Sequence, residues 1–154
     1  MKKAIPFAAF MLLFTLQVFS QITFQKYFNA ASLASTTIQT SDGGYAIVYS
    51  NGSSSTTPVL IKTNANGDTL WTKRLGVPAL LNDGNSVLQT QDGGYLVCGG
   101  SIIKTNSSGV PLWSKKLLNN LFFNSTQAVE LPNGDLVVVG KSMQTSGMGI
   151  SGVR

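Results

Sequence analysis

The chain has 154 residues, of which 11% are charged, and it carries a formal charge of +5 with no histidine and a single cysteine, Cys98. The lack of histidine excludes general bases and metal sites built on imidazole, and one cysteine excludes a disulfide framework and multi-cysteine metal motifs. Soluble domains usually carry about 25% charged residues. Here Ser, Thr, Asn and Gln supply 50 residues instead, a neutral-polar composition typical of exported β proteins.

The N-terminus has the three parts of a secretory signal. Lys2 and Lys3 precede an uncharged run of 13 residues, and small or β-branched residues stand at the −3 and −1 positions of a cut after Ser20. We therefore expect residues 1–20 to be a signal peptide cleaved after Ser20. The alternative is a membrane anchor, but the run is shorter than the ~20 apolar residues that span a bilayer.

Cleavage would leave a mature chain at residues 21–154, and the loss of two lysines would lower the formal charge to +3. No run of Lys and Arg is longer than two residues, and aromatic residues do not alternate with the basic ones. A nucleic-acid partner is therefore not expected, since such partners need a basic surface with aromatic platforms. We also expect no membrane span after cleavage.

An internal repeat organises the mature chain. LIKTNANGDTLWTKRL at residues 60–75 matches IIKTNSSGVPLWSKKL at 102–117 in 9 of 16 positions. Upstream, TIQTSDGGYAIV at 37–48 matches VLQTQDGGYLVC at 87–98 in 6 of 12 positions. A weaker third copy, QAVELPNGDLVVVG, begins at Gln127. The repeat units therefore lie at about residues 35–75, 85–117 and 126–142.

Each full unit contains four short strand patterns separated by turns. In the second unit they are Ser86–Thr90, Tyr95–Gly99, Ser101–Thr105 and Leu112–Leu117. The second strand of each unit is apolar at consecutive positions, which indicates a strand covered on both faces. Helices are not expected, because no apolar stretch of the mature chain keeps a period of 3.6 residues.

Four strands repeated every 41 to 50 residues, in sheets that need cover on both faces, predict an all-β chain. The architecture expected is a β-propeller-like array of four-stranded antiparallel blades. The array is expected to be incomplete, with about two full blades plus partial blades. A closed ring has at least about four blades, and four units of ~42 residues need roughly 168 residues. In addition, the third copy is expected to stop after its second strand.

The mature chain at residues 21–154 is shorter than this minimum, and two interpretations remain open. The chain is either a piece of a larger propeller or one of several chains that assemble into one ring. The last apolar strand would leave an unpaired edge, so self-association through such edges is expected. The segment Ile22–Phe28 resembles the fourth strand of a unit, with Phe24 in the place of Trp71 and Lys26 in the place of Lys73.

The blocks DGGYAIV…VLIKTNANGDTLW and DGGYLVCGGSIIKTNSSGVPLW resemble repeats of large secreted β-propeller proteins from bacteria with the type IX secretion system. The resemblance covers about residues 37–142 and implies a secreted or cell-surface propeller. In that family a C-terminal sorting domain commonly follows the propeller, and nothing after Gly140 resembles one. The chain is therefore expected to be a fragment.

The repeats are also distantly similar to those of quinoprotein-like propellers, through the spacing of Gly67 to Trp71 and of Gly109 to Trp113. Those enzymes hold quinone and calcium with acidic residues, whereas this chain has no acidic cluster. No cofactor is therefore expected. The alternative to a non-catalytic propeller is the remnant of a propeller enzyme, quinoprotein-like or glycan-acting, without its catalytic blades.

Asp42 and Asp92, each followed by two glycines, could be read as a catalytic carboxylate pair. The third copy has Asn133-Gly134 at this position, and asparagine keeps the tolerance for a tight turn but lacks the carboxylate. The repeat therefore predicts turns here and no catalytic residue.

Asn64, Asn66 and Asp68 have the alternating oxygens of a calcium loop. The second copy replaces Asp68 with Val110, so a glycine-containing hairpin explains both copies and no metal residue is expected. Cys98 lies in an apolar strand and is expected to be a buried core residue without a base to activate it.

Trp71 and Trp113 share one repeat position, at which aromatic rings can stack on sugars or pack between neighbouring sheets. Packing is the interpretation favoured by their recurrence. The repeated lysines, Lys62 with Lys104 and Lys73 with Lys115, are expected to be solvated strand positions with buried stems.

The apolar connections Leu80-Leu81 and Leu121–Phe123 are expected to cover the contact between blades. The loop Asn51–Pro58, which the second copy lacks, is either a recognition loop or a linker. Taken together, the sequence predicts a secreted or cell-surface propeller segment with a structural or binding role. Its partner would be an unidentified protein or glycan of the cell surface, and no enzymatic activity is expected.

Overall fold

The computed structural model describes residues 24–28, 34–50, 57–76, 85–116, 123–142 and 148–153. Within these ranges the chain forms eleven β-strands and no helix, which confirms the all-β prediction. Nor do these ranges contain a helix that is long and apolar enough to cross a membrane. The strands are β1 (Ala34–Gln39), β2 (Tyr45–Ser50), β3 (Pro58–Thr63), β4 (Thr69–Arg74), β5 (Ser86–Gln89), β6 (Tyr95–Cys98), β7 (Ile102–Thr105), β8 (Pro111–Lys115), β9 (Phe123–Glu130), β10 (Leu136–Ser142) and β11 (Met148–Val153).

The strands form three antiparallel sheets in which neighbours in sequence are neighbours in space. The first sheet has the order β1-β2-β3-β4, the second β5-β6-β7-β8, and the third β9-β10-β11. The four strands predicted for the second unit are all present, with ends within two residues of the predicted ones. In the described turns a glycine at positive φ lets the chain return directly along the edge of the preceding strand, so that consecutive strands pair.

The third sheet differs from the prediction. The repeat was expected to stop after its second strand, but β11 pairs with β10, from Leu136 opposite Val153 to Lys141 opposite Met148. The sheet also begins at Phe123, so it extends on both sides of the predicted unit 126–142. The sequence MGISGV lacks the apolar block that marks the other third strands. A strand ladder is built from backbone groups, so it forms without that signature.

The three sheets stack face to face, and β6 lies in the middle of the stack. Tyr95 and Val97 join a core with the first sheet, whereas Leu96 and Cys98 join a second core with the third sheet. All four side chains are buried. The prediction of a second strand covered on both faces is confirmed for this sheet, and successive side chains point to opposite faces as the strand period requires.

The two junctions between sheets are built alike. The first strands of neighbouring sheets contact each other, β1 with β5 and β5 with β9. The backbone N–H of Ser41 donates to Oε1 of Gln89 at 2.8 Å, and that of Gln91 donates to Oε2 of Glu130 at 2.7 Å. These bonds join equivalent positions of the repeat. One sheet is therefore related to the next by the same step at both junctions.

Residues 24–28 belong to no strand, yet they repeat the contacts of β4. The ring of Phe24 meets that of Tyr45 edge to face, with centroids 5.8 Å apart. Trp71 meets Tyr95 in the same way at 5.8 Å. The prediction that Phe24 takes the place of Trp71 is therefore confirmed.

Several sequence predictions fall on residues outside the described ranges. They concern the signal peptide at 1–20, most of the loop 51–58, and the apolar connections at 80–81 and 121–122.

Candidate functional site

The Asp-Gly-Gly turns join the first and second strands of the first two sheets. Gly43 and Gly93 have φ angles of 80° and 77°, and Gly134 of the third sheet has 84°. Glycine adopts this left-handed region without the steric cost that a side chain carries. The turn interpretation of all three copies is confirmed.

The carboxylate of Asp92 is held by three groups. Lys104 Nζ donates to Asp92 Oδ1 at 3.0 Å and Oδ2 at 2.8 Å, and to the carbonyl oxygen of Thr105 at 2.9 Å. Thr90 Oγ1 and the backbone N–H of Gly94 donate to Asp92 Oδ1 at 2.6 and 2.9 Å. We call this arrangement of Thr90, Asp92 and Lys104 the threonine-aspartate-lysine clamp.

The first sheet contains the same clamp. Lys62 Nζ lies 3.0 and 2.8 Å from the two carboxylate oxygens of Asp42 and 2.8 Å from the carbonyl oxygen of Thr63. Thr40 Oγ1 donates to Asp42 Oδ1 at 2.6 Å. The clamp is thus a property of the repeat, because the same three side-chain types make the same contacts at equivalent positions of both units.

The prediction that Lys62 and Lys104 are solvated is wrong. They are only 4% and 8% exposed, because they lie on the third strands, which are covered on both faces. A buried ammonium is tolerated where its donors find acceptors, here a carboxylate and a main-chain carbonyl. Lys73 and Lys115 on the fourth strands are exposed, as predicted.

The clamp decides the protonation of its carboxylates. The Lys104 ammonium, helped by the Thr90 hydroxyl, lowers the pKa of Asp92 to about 2. Lys62 and Thr40 act alike and hold the pKa of Asp42 well below its ordinary value. A general acid or base needs a pKa near the working pH. Each aspartate is instead ionised at neutral pH and bound to its own lysine, which favours a structural role.

In the third sheet every member of the clamp is replaced. Leu131 stands in the place of the threonine, Asn133 in that of the aspartate, and Asp135 in that of the second glycine. The pairing of β10 with β11 places Gly152 at the position of the lysine. Simultaneous replacement of all four positions indicates that they act as one unit. Sequence reasoning missed this unit. The replacement of the threonine, the aspartate and the second glycine is visible in the aligned copies, whereas the lysine position of the third copy follows only from the pairing of β10 with β11.

The clamp predicts a loss of stability in acid. Asp92 has a folded pKa of about 2 against an ordinary 3.8, so the unfolded chain binds more protons between these values. Stability is therefore complete above pH about 4 and falls as the pH drops through the folded pKa. Because 58% of the Asp92 side chain is exposed and screened, we expect a loss of about 1 kcal/mol for each clamp. The free energy of unfolding, measured with urea at a series of pH values, should fall less steeply below pH about 4 for Asp92→Asn than for the parent chain. Equal slopes for the two proteins would contradict the stabilising role given to the clamp.

The segment 64–68, which has the oxygen spacing of a calcium loop, is a hairpin turn in which the side-chain oxygens of Asn64 and Asp68 already accept hydrogen bonds or pair with a lysine. Asn64 Oδ1 accepts hydrogen bonds from the backbone N–H groups of Asn66 and Asp68, both at 2.9 Å. Lys26 Nζ lies 2.8 Å from Asp68 Oδ1 and, with Asn64, lowers the pKa of that carboxyl group. The side-chain oxygens of Asn64 and Asp68 that could bind a cation are thus hydrogen-bonded to backbone N–H groups or paired with a lysine.

The second copy forms the same turn without an acid. Asn106 Oδ1 accepts from the backbone N–H groups of Ser108 at 3.0 Å and Val110 at 2.9 Å. Both turns contain a glycine at positive φ, 78° at Gly67 and 75° at Gly109. The hairpin prediction is confirmed. In the part of the chain that the structure describes, no group of three His, Cys, Asp or Glu residues is placed to hold a metal.

The repeated aromatic position packs between sheets. A Cβ atom added to Gly109 would lie 2.7 Å from Trp71 Cζ3, so the indole of one sheet covers the glycine turn of the next. Phe24 covers Gly67 in the same way. Trp113 packs against the second core, and Lys115 Nζ lies 5.5 Å from its ring centroid. The packing interpretation is supported at all three positions.

Cys98 is buried in the second core, as predicted. Burial raises the pKa of its thiol to about 11. A nucleophilic cysteine must reach the thiolate form near neutral pH. Cys98 therefore acts as a small apolar core residue.

The third sheet has an exposed apolar surface that sequence reasoning missed. A shallow groove of about 300 Å³ is lined by Val129, Val137 and Val139 together with Gln127 and Ala128. Val129 is 50% exposed and Val139 38% exposed. We call Val129, Val137 and Val139 the outer face of the third sheet. Apolar residues at consecutive positions of β10 predicted cover on both sides, and only one side is covered.

Comparison with known proteins finds a solved structure with a similar fold but no matching family. A crystal structure at 1.35 Å resolution of a protein of unknown function from Bacteroides caccae is similar, with a TM-score of 0.57 and 16% sequence identity. The match covers 85% of this chain and 49% of the other, so the chain spans about half the length of that protein. No protein-family model and no curated protein matches the sequence.

Proposed function

We propose that the chain is part of an exported β-propeller whose sheets are successive blades, and that it has a structural or binding role at the cell surface. The observation that carries the proposal is the identical step between sheets, with the same bond from Ser41 to Gln89 and from Gln91 to Glu130. A constant step with contacting first strands is what blades around a common axis require. The resemblance to secreted type IX repeats agrees with the predicted signal peptide.

The clamp and the aromatic contacts support a scaffold rather than a catalyst. Each clamp joins a turn to the third strand of its own sheet, and each aromatic side chain joins a sheet to its neighbour. Rigid repeated sheets of this kind present variable loops for recognition. The partner proposed is a protein or glycan of the cell surface.

Export is tested by following the full chain with a C-terminal tag in a Gram-negative bacterium. We expect the product to be found outside the cytoplasm with Gln21 as its first residue, measured by mass spectrometry of the intact protein. Leu13→Arg should block export because a charge interrupts the apolar run, whereas Leu13→Ile should not. Full-length chain that keeps residues 1–20 and stays in the cytoplasm would contradict the proposal.

A further inference from the structure

Within the described ranges, the third sheet has one strand fewer than the first and the second sheet. In the described ranges β11 pairs with β10 on one edge, while β3 and β7, at the same position of their sheets, pair on both edges. The unpaired edge of a strand presents N–H and C=O groups that can bind a further strand. No described strand of the third sheet occupies the position that β4 and β8 have in the other sheets.

No described sheet covers the outer face of the third sheet, whereas the equivalent positions of the other sheets are covered. Val137 and Val139 stand at the repeat positions of Leu96 and Cys98, which are at most 1% exposed because the next sheet covers them. Val139 is 38% exposed. In the repeat, this face of one sheet packs against the opposite face of the next sheet. The partner that fits the outer face of the third sheet is therefore the corresponding face of another sheet of the same repeat.

Residues 24–28 provide the complementary feature at the other end of the stack. Phe24 contacts Tyr45, and Lys26 pairs with Asp68, so the segment lies beside the first sheet as β4 lies beside the second. No described strand pairs with this segment. Its own third sheet lies beyond the second sheet, so the segment cannot border β11 of the same molecule while it holds these contacts.

We infer that copies of this chain associate head to tail by strand complementation. Residues 24–28 of one copy form the fourth strand of the third sheet of another, and the outer face of that sheet packs on the first sheet of the same neighbour. The inference rests on the proposed stacking of blades and does not depend on export. Because the two surfaces differ, the contact is heterologous, and repeated association gives a ring or an open array.

The internal register specifies the contact residue by residue. Lys62 pairs with Trp71 and Lys104 with Trp113 in the first two sheets. Gly152 occupies the lysine position, so it should lie opposite Phe24 of the neighbour. The next pair along the antiparallel ladder is Ser151 opposite Gln25.

The first test is sedimentation velocity of the purified mature chain over a range of concentrations. We expect the chain to sediment as dimers or larger species, and Val139→Lys to weaken association about a hundredfold, because its ammonium would be buried without a partner. Leu112→Lys is the matched control, since Leu112 is exposed on β8, away from the proposed contact. A parent chain that stays monomeric, or equal weakening by both variants, would overturn the inference.

The second test is disulfide trapping of the predicted register. The double variant Gln25→Cys with Ser151→Cys, oxidised with copper phenanthroline, should give a ladder of cross-linked species on a non-reducing gel. Each single variant should give none, and buried Cys98 should not react. A double variant that cross-links only within one chain, or not at all, would overturn the inference. Circular dichroism of each variant separates lost association from lost folding, and neither test depends on export.

Discussion

Replacing Gly94 with alanine is expected to lower the free energy of unfolding by about 2–4 kcal/mol, the range for forcing atoms into a packed site and breaking a buried charged contact. The added Cβ would lie 2.6 Å from Lys104 Nζ and 3.1 Å from Asp92 Oδ1, and it would overlap the carbonyl oxygen of Thr105. Urea unfolding monitored by circular dichroism measures the loss.

Gly93 is the matched control, one residue earlier in the same turn. It has a φ of 77°, and the nearest atom to an added Cβ is Ser107 Cβ at 4.0 Å. Gly93→Ala therefore costs only the strain of the left-handed backbone, about 1–2 kcal/mol. A loss for Gly94→Ala no greater than that for Gly93→Ala would show that the clamp is not rigid.

The cost of Gly94→Ala is expected to be coupled to its side-chain neighbours Lys104 and Asp92. In the third sheet, which lacks this lysine and this aspartate, Asp135 stands at the same position. In the second sheet the overlap with the carbonyl oxygen of Thr105 would remain, so only the part of the loss that comes from Lys104 and Asp92 is recovered when they are replaced. Adding Lys104→Met and Asp92→Asn to Gly94→Ala should therefore cost less than the sum of the separate changes. A combined loss smaller than the sum of the separate losses is expected for residues that share one contact network.

Trp71→Ala is the second large change, with an expected loss of about 2–4 kcal/mol, near the lower part of the range for buried tryptophan because the ring is half-buried. The change removes the edge-to-face contact with Tyr95 and the cover of Gly109. Both contacts join the first sheet to the second. Thermal unfolding of the purified chain measures the loss.

Leu70 is the control for Trp71, since it is the preceding residue of β4 and is 57% exposed. Leu70→Ala should change stability by no more than about 0.5 kcal/mol. If the tryptophan were a sugar-stacking residue rather than a packing residue, Trp71→Ala would leave stability unchanged and abolish glycan binding. That result would contradict the role assigned to the aromatic position.

The local parts of the fold were predictable because their causes are local. Asp-Gly and Asn-Gly turns need particular backbone angles, and the repetition of Gly43 as Gly93 and Gly134 identified the turns without any tertiary information. The aromatic contact of Phe24 was also predictable, since its place in the repeat is that of Trp71. In both cases one copy of the repeat served as evidence for another.

The lysine burial and the extent of the third sheet were not predictable in this way. The charge of Lys104 predicted a solvated position, and only the covering of both faces of β7 brings its ammonium onto Asp92, twelve residues away in sequence. Strand β11 carries no apolar signature, because it is defined by the backbone bonds that β10 offers it.

The sequence by itself determined the strands of the two full units, the turns and the repeat, because each depends on residues close together in the chain. Only the tertiary structure decided which sheet faces are covered, since covering depends on neighbours contributed by other units. Val139 and Cys98 occupy the same repeat position, yet one is 38% exposed and the other 1%. The difference lies in the sheet that packs beside each of them, and a strand's own residues do not encode that neighbour.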